Sequence, residues 1–163
     1  MTDSSSDIRP GETRLAFEPA EADDARLVFV GRVRSPWTTR ADCPKNLRAA
    51  REAGVGARVE IDEAFRPALA SLEVGSWIFL LSWLHMARRD LAMQMPRHAE
   101  RPTSTFALRS PVRPNPIGLH LVRLLASEQD GAVLAIDAID LLDGTPIIDI
   151  KPYFASVDCP PEG

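Results

Sequence analysis

The chain has 163 residues and is poor in the features that several function classes depend on. Its longest apolar run, Trp77–Leu84, is broken by Ser82 and falls far short of the about 20 residues that a membrane-spanning helix needs. Met1–Asp7 carries acids and hydroxyls where a secretory leader would place a basic and then an apolar region. A protein of the cytoplasm, without membrane attachment, is expected. Two cysteines, Cys43 and Cys159, stand far apart and read as free thiols. His85, His98 and His120 are not at metal-ligand spacings and no Cys-x-x-Cys occurs, so no metal is expected. In Gly54-Val55-Gly56, the one Gly-x-Gly, a dinucleotide fingerprint would next require glycine where Val59 stands, and no Gly-Lys-Ser/Thr closes a phosphate loop. No serine sits in a nucleophile elbow.

What is present fits one globular domain: 45% hydrophobic and 26% charged residues are near the globular average. Met1 to about Ala25 lacks a hydrophobic period and holds seven acids against two basic residues, so residues 1–25 read as a flexible acidic leader before a domain spanning 26–163. Leu27–Val33, Ala57–Ile61, Gly75–Leu84, Thr105–Leu108, Leu119–Ala126 and Val133–Leu142 read as strands, with an Asp130-Gly131 turn joining the last two. Short helices are expected at Leu47–Ala53, closed by Gly54, and at Ala64–Leu72, with Asp62 as N-cap. The stretch from Ala87 to Ser104 is polar, holds Pro96 and Pro102, and reads as a long loop, functional or disordered. Strand following strand predicts a mainly β fold, a small β-barrel with short helices and long loops.

The net charge of −4 conceals an asymmetry. Arg88 to Arg123 contains seven arginines, two acids and no lysine, which leaves the rest of the chain at −9. Arginine suits planar, bidentate recognition of carboxylate or phosphate; internal ion pairs on a solvated face are the alternative.

Two segments concentrate the chemistry. In Arg109-Ser110-Pro111-Val112-Arg113-Pro114-Asn115-Pro116-Ile117-Gly118, three prolines fix φ and hold their predecessors extended. Arg109, Arg113 and Asn115 then form a stiff donor array for a polar or anionic ligand, or a rigid corner with paired arginines. In Asp143-Gly144-Thr145-Pro146-Ile147-Ile148-Asp149-Ile150-Lys151-Pro152-Tyr153, a turn leads into an apolar strand carrying an acid, which is costly unless the acid is paired or used. Asp149 has three open readings: pairing with a loop arginine, holding a ligand hydroxyl, or taking up a proton. Tyr153 offers a ring for stacking and a phenol donor.

These two segments, with Gly31-Arg32-Val33-Arg34-Ser35-Pro36 and the strand Trp77–His85, resemble the TsaA-like (TrmO) family over about Val28–Tyr153. The resemblance implies a small β-barrel and an S-adenosyl-L-methionine-dependent methyltransferase that modifies N6 of threonylcarbamoyladenosine beside the tRNA anticodon. It also implies a homodimer with the cofactor near its interface. Carried over by position, the cofactor contacts are Pro44, Lys45 and Asn46 (where bacterial members typically have Pro-Arg-Gln), His85, Met86, Arg109, Leu119, Asp143, Gly144, Thr145 and Pro146. Arg113 and Asn115 join them from the proline loop. The chain stops shortly after Tyr153, whereas longer bacterial members continue into a further domain. Asp149 and Tyr153 are the candidates for removing the proton from the attacking amine, while Arg88, Arg89, Arg97 and Arg101 are expected to meet RNA phosphates. A small-molecule methyltransferase and a non-catalytic S-adenosylmethionine-binding regulatory dimer are the competing functions.

Overall fold

A computed structural model describes residues 8–161 except 98, 129 and 131. Met1–Asp7, His98 and Gly131, which entered the expectations above, therefore lie outside the described residues. The fold is mainly β. In chain order the strands are β1 (Thr13–Arg14), β2 (Gly31–Arg34), β3 (Ala57–Ile61), β4 (Trp77–Trp83), β5 (Leu91–Gln94), β6 (Thr103–Ser104), β7 (Ile117–Glu128), β8 (Val133–Ile136) and β9 (Pro146–Pro152). The α-helices are α1 (Leu47–Glu52) and α2 (Ala155–Asp158), with 3-10 turns at Pro19–Glu21, Glu63–Leu69 and Thr105–Ala107. Among the described residues, no helix is long and apolar enough to cross a membrane.

The chain forms two compact units. One comprises Leu27–Trp83 and the chain from Gly118 onward; its strands follow the order β2-β3-β8-β7-β4-β9 around a closed barrel. Alternation decides which side chains enter it. In β2 and β3 every second residue is buried, bringing Val33, Val59 and Ile61 inward and sending Arg32, Arg34, Arg58 and Glu60 outward. Ile78 and Leu80 from β4, Val122 and Leu124 from β7, Leu134 and Ile136 from β8 and Ile147 from β9 complete the core. Each such side chain contributes about 1.5–3 kcal/mol by leaving water. Gly31 is needed where it pairs with both β3 and β9, because a Cβ there would run into the Glu60 carbonyl.

The other unit combines the chain up to Arg26 with Leu84–Ile117. Its three-stranded sheet has the order β1-β5-β6. Leu91 is its fully buried strand residue, Pro19 and Pro116 are also buried, and so are the polar residues Glu12, Gln94 and Thr105, which hydrogen bonds hold. Gln94 donates to the Thr105 hydroxyl at 2.9 Å and to the Val112 carbonyl at 2.6 Å, while Thr105 donates to the Leu91 carbonyl at 2.7 Å.

Several expectations are corrected. Residues 13–14, inside the expected leader, pair with β5, and Glu12 beside them is buried against Arg9. Leu27, Val28 and Phe29 are exposed and precede the first barrel strand, which begins at Gly31. The expected loop of residues 87–104 supplies β5 and β6. The expected strand Thr105–Leu108 is instead a 3-10 turn over Thr105–Ala107, with Phe106 81% exposed. The segment expected as a helix from Ala64 is also 3-10, and Asp62 makes no side-chain cap bond. Finally, β8 ends at Ile136 because carbonyls further on bond elsewhere: Ile139 accepts from the Trp37 indole at 3.0 Å and Leu141 from the Ser35 hydroxyl at 2.8 Å.

Candidate functional site

The barrel unit contains Pro44, Lys45, Asn46, Leu119 and Asp143–Pro146, together with Asp149 and Tyr153; the other unit contains His85, Met86, Arg109, Arg113 and Asn115. Each half has its own local construction.

In the barrel unit, the turn Asp143–Pro146 is laced to the exit of β2. Asp143 accepts the Ser35 N–H at 3.1 Å and donates its own N–H to the Trp37 carbonyl at 2.8 Å. Gly144 donates to the Val33 carbonyl at 2.9 Å, and the Thr145 hydroxyl donates to the Leu142 carbonyl at 2.7 Å. Gly144 has a φ of +76°, in the region glycine adopts without strain. No atom lies within 4 Å of where its Cβ would stand, so the turn presents an open face to a ligand. Before α1, Asn46 uses its side-chain oxygen to cap the helix, accepting the Ala49 N–H at 2.9 Å. Lys45 beside it is exposed. Arg51 fixes α1 to the barrel through Asp137 at 2.8 Å, the Leu121 carbonyl at 2.6 Å and the Trp77 ring, whose centroid is 5.3 Å away.

A buried polar chain, which the sequence reading missed, runs beneath this region. Ser82 on β4 lies 2.9 Å from His120 Nε2, and His120 Nδ1 lies 2.8 Å from Asp140, three residues before Asp143. An ionised carboxylate only accepts, so Nδ1 donates to Asp140 and, in the neutral ring, Nε2 accepts from the hydroxyl. The order Ser-His-Asp is that of a hydrolase triad, yet Ser82 has no solvent exposure, and the chain acts as an internal brace. Gly118 makes room for it, since a Cβ there would collide with both Ser82 Oγ and His120 Nε2. The sequence signal that could have revealed it was a polar serine within the Trp77–Leu84 apolar run, opposite a histidine in the next long strand. Burial, followed by the nearby Asp140 charge, pushes the Cys43 thiol up to about 11, which makes it a poor nucleophile at neutral pH.

Asp149 and Lys151 share the outward face of β9, and Tyr153 follows directly after its end. Asp149 pairs with Lys151 at 2.8 Å and also accepts the Ile150 N–H at 2.9 Å. Its partner is therefore the neighbouring lysine rather than a loop arginine, and it is half-exposed rather than buried. Tyr153 sits edge-on to Phe79, and its hydroxyl lies 2.9 Å from Cys159 Sγ. That hydrogen bond raises the phenol pKa, so the proton stays on the ring oxygen near neutrality. At about 3.3 Å per strand residue, Pro152, which precedes Tyr153, stands roughly 20 Å along β9 from Pro146 and Asp149 roughly 10 Å. The two catalytic candidates thus lie at different distances from the Asp143 turn.

In the other unit, His85 and Met86 are exposed just after β4. The donor array expected from the proline loop is partly engaged by the loop itself. Arg113 donates to the carbonyls of Leu108 at 3.3 Å and Ser110 at 3.4 Å. Asn115 accepts from Arg89 at 3.4 Å, and Arg89 also donates to the Pro114 carbonyl. Arg109 is exposed. Arg88 grips Asp90 through both oxygens, at 2.7 and 2.8 Å. Arg88 and Arg89, expected to meet phosphates, are therefore held inside their own unit.

Comparison with known proteins adds a second line. The family model described as the tRNA-methyltransferase O N-terminal domain matches residues 32–159. A probable S-adenosyl-L-methionine-binding protein of Methanothermobacter thermautotrophicus is 41% identical over 135 residues, covering 83% of this chain and 94% of that protein. A mouse tRNA (adenine(37)-N6)-methyltransferase is 38% identical over 96 residues, 57% of this chain and 22% of the mouse protein. The crystal structure of TrmO from Pseudomonas aeruginosa superimposes with a TM-score of 0.66 at 32% identity, covering 85% of this chain. The present chain spans 60% of that structure's length.

Proposed function

This chain belongs to the tRNA-methyltransferase O N-terminal domain family, and from that membership we propose that it is an S-adenosyl-L-methionine-dependent tRNA methyltransferase acting on N6 of threonylcarbamoyladenosine next to the anticodon. The observation that carries the proposal is the family match across residues 32–159, which includes the whole laced turn at Asp143. A cytoplasmic location and a homodimer belong to the same reading and rest on the family resemblance.

The residues of the turn fit the proposed cofactor. Gly144 opens on free space, the exposed Lys45 supplies a cation suited to a carboxylate, and the turn's hydrogen bonds to Ser35, Trp37 and Val33 fix its shape in advance. Pro44, Lys45, Leu119 and Asp143–Pro146 are the residues of the barrel unit that would hold it. Asn46 acts through α1, which it caps. S-adenosylmethionine supplies an electrophilic methyl group on a sulfonium, so the protein's work is to bind, align and exclude water. Asp149 is the better proton acceptor of the two candidates, because Tyr153 keeps its own proton. Lys151 orients the Asp149 carboxylate, and Tyr153 serves as a donor or a stacking ring.

The test is transfer of labelled methyl from S-adenosylmethionine to tRNA lacking this methylation, followed by nucleoside mass spectrometry. Methylated threonylcarbamoyladenosine is the expected product. Cofactor binding with label appearing only in small molecules would replace tRNA as the acceptor.

A further inference from the structure

The outer face of the barrel carries the opposite arrangement to the proline-loop unit. Arg34 on β2 stands directly across from Arg58 on β3, with Arg32 across from Glu60, and all four point outward. Like charges directly opposite one another weaken an antiparallel pair, so sheet stability does not account for the two arginines. The nearby acids do not neutralise them all. Glu60 bonds Arg34 Nε at 2.7 Å, and Asp143 stands 3.7 Å from the same guanidinium. Arg32 and Arg58 have no acid partner among the described residues. Beside Arg34 and Arg58 opens a cleft of about 450 Å³, floored by Pro36, Leu125 and Ala135. A guanidinium rim above an apolar floor matches a nucleotide unit, with its phosphate on the arginine and its sugar or base face below.

We propose that this face, with Arg32 and Arg58 as its open cations and the adjoining cleft, binds the phosphodiester backbone of the RNA substrate. The proposal rests on the tRNA reading above and deepens it by naming the surface on which the RNA docks. Arg34 has a double role here, since it lines the cleft while contacting the acid that begins the Asp143 turn.

The experiment titrates unmodified tRNA against the full chain at increasing salt and compares wild type with the Arg32→Ala/Arg58→Ala pair. Each phosphate contact adds about 0.7–0.9 to the slope of log affinity against log salt, so the pair should flatten the slope by about 1.4–1.8. Calorimetric affinity for S-adenosylmethionine should not change, and the melting temperature should not fall. The Arg32→Lys/Arg58→Lys pair, which retains both charges, should keep most of the wild-type slope. An unchanged slope in the alanine pair, with wild type binding tRNA salt-dependently, overturns this surface and leaves the tRNA reading standing. Adenosine monophosphate binding in the cleft, combined with an unchanged tRNA slope, also overturns it and makes the cleft a free-nucleotide site. Absence of salt-dependent tRNA binding by wild type removes the tRNA reading and this surface with it.

Discussion

The two units of this chain solve the same stability problem with different materials. The barrel is held by apolar side chains alternating inward from six strands, with one buried polar brace, Ser82–His120–Asp140. The three-stranded unit has few strand residues to bury and is held by Gln94, Thr105 and its arginines: Arg9 on Glu12, Arg88 on Asp90, Arg89 on the Pro114 carbonyl and Arg113 on its own loop. An arginine-rich sequence therefore marks internal architecture in one unit, while the arginines on β2 and β3 face outward without enough acids to match them. Counting charges along a chain does not separate these cases; locating their partners does.

Four measurements put this contrast at risk. The largest effect is expected at the brace. His120→Ala leaves the Ser82 hydroxyl and Asp140 carboxylate without their partner, and should cost about 2–4 kcal/mol in urea unfolding. A loss below about 1 kcal/mol would show that the barrel's apolar core carries the region alone. Gln94→Ala removes two hydrogen bonds from the polar unit and should cost about 1–3 kcal/mol, read as lost hydrogen-exchange protection at the amides of β5. Unaltered protection there would mean that Leu91 suffices.

Acid should act next on the polar unit. The Arg9 hydrogen bond lowers the Glu12 pKa and the Arg88 hydrogen bond lowers that of Asp90. A carboxylate depressed in the folded state contributes stability that is present above its unfolded value and lost as pH falls through the folded one. Exchange protection around residues 9–14 and 88–91 should accordingly fall as pH drops below about 4. Protection that persists to lower pH would count against these ion pairs as the fastening. The smallest effect belongs to an exposed helix pair: Arg48→Ala, which breaks the 3.0 Å contact with Glu52, should change stability by no more than about 0.5 kcal/mol.

The sequence was most informative where one physical signal dominated. β3 matches its expected span of Ala57–Ile61 because polar and apolar residues alternate without interruption. Helix α1 was legible from Gly54 after it, at a φ of +66°, whereas the Asn46 side chain that caps its start was not. Legibility failed where tertiary partners overruled local preference. Thr105 is β-branched, yet its hydroxyl is committed to Gln94 and Leu91, and the chain turns there. Strands β1, β5 and β6 are short, and their ladders depend on each other, so no hydrophobic period announces them. At the candidate site, the turn at Asp143 was legible from Asp-Gly. The links from Ser35 and Trp37 to residues more than a hundred positions away were not.

The route by which the barrel closes has a kinetic consequence. Strand β9 pairs with β2 on one side and with β4 on the other, so it is the stave without which the ring stays open. Gly31 cannot meet Ile147 until nearly the whole chain between them has been made and ordered. Closing so long a loop delays the reward of contact until late in folding. The same stave follows directly from the Asp143 turn, so the turn acquires its final form in the step that closes the ring, and a nascent chain stalled before Pro146 would have neither.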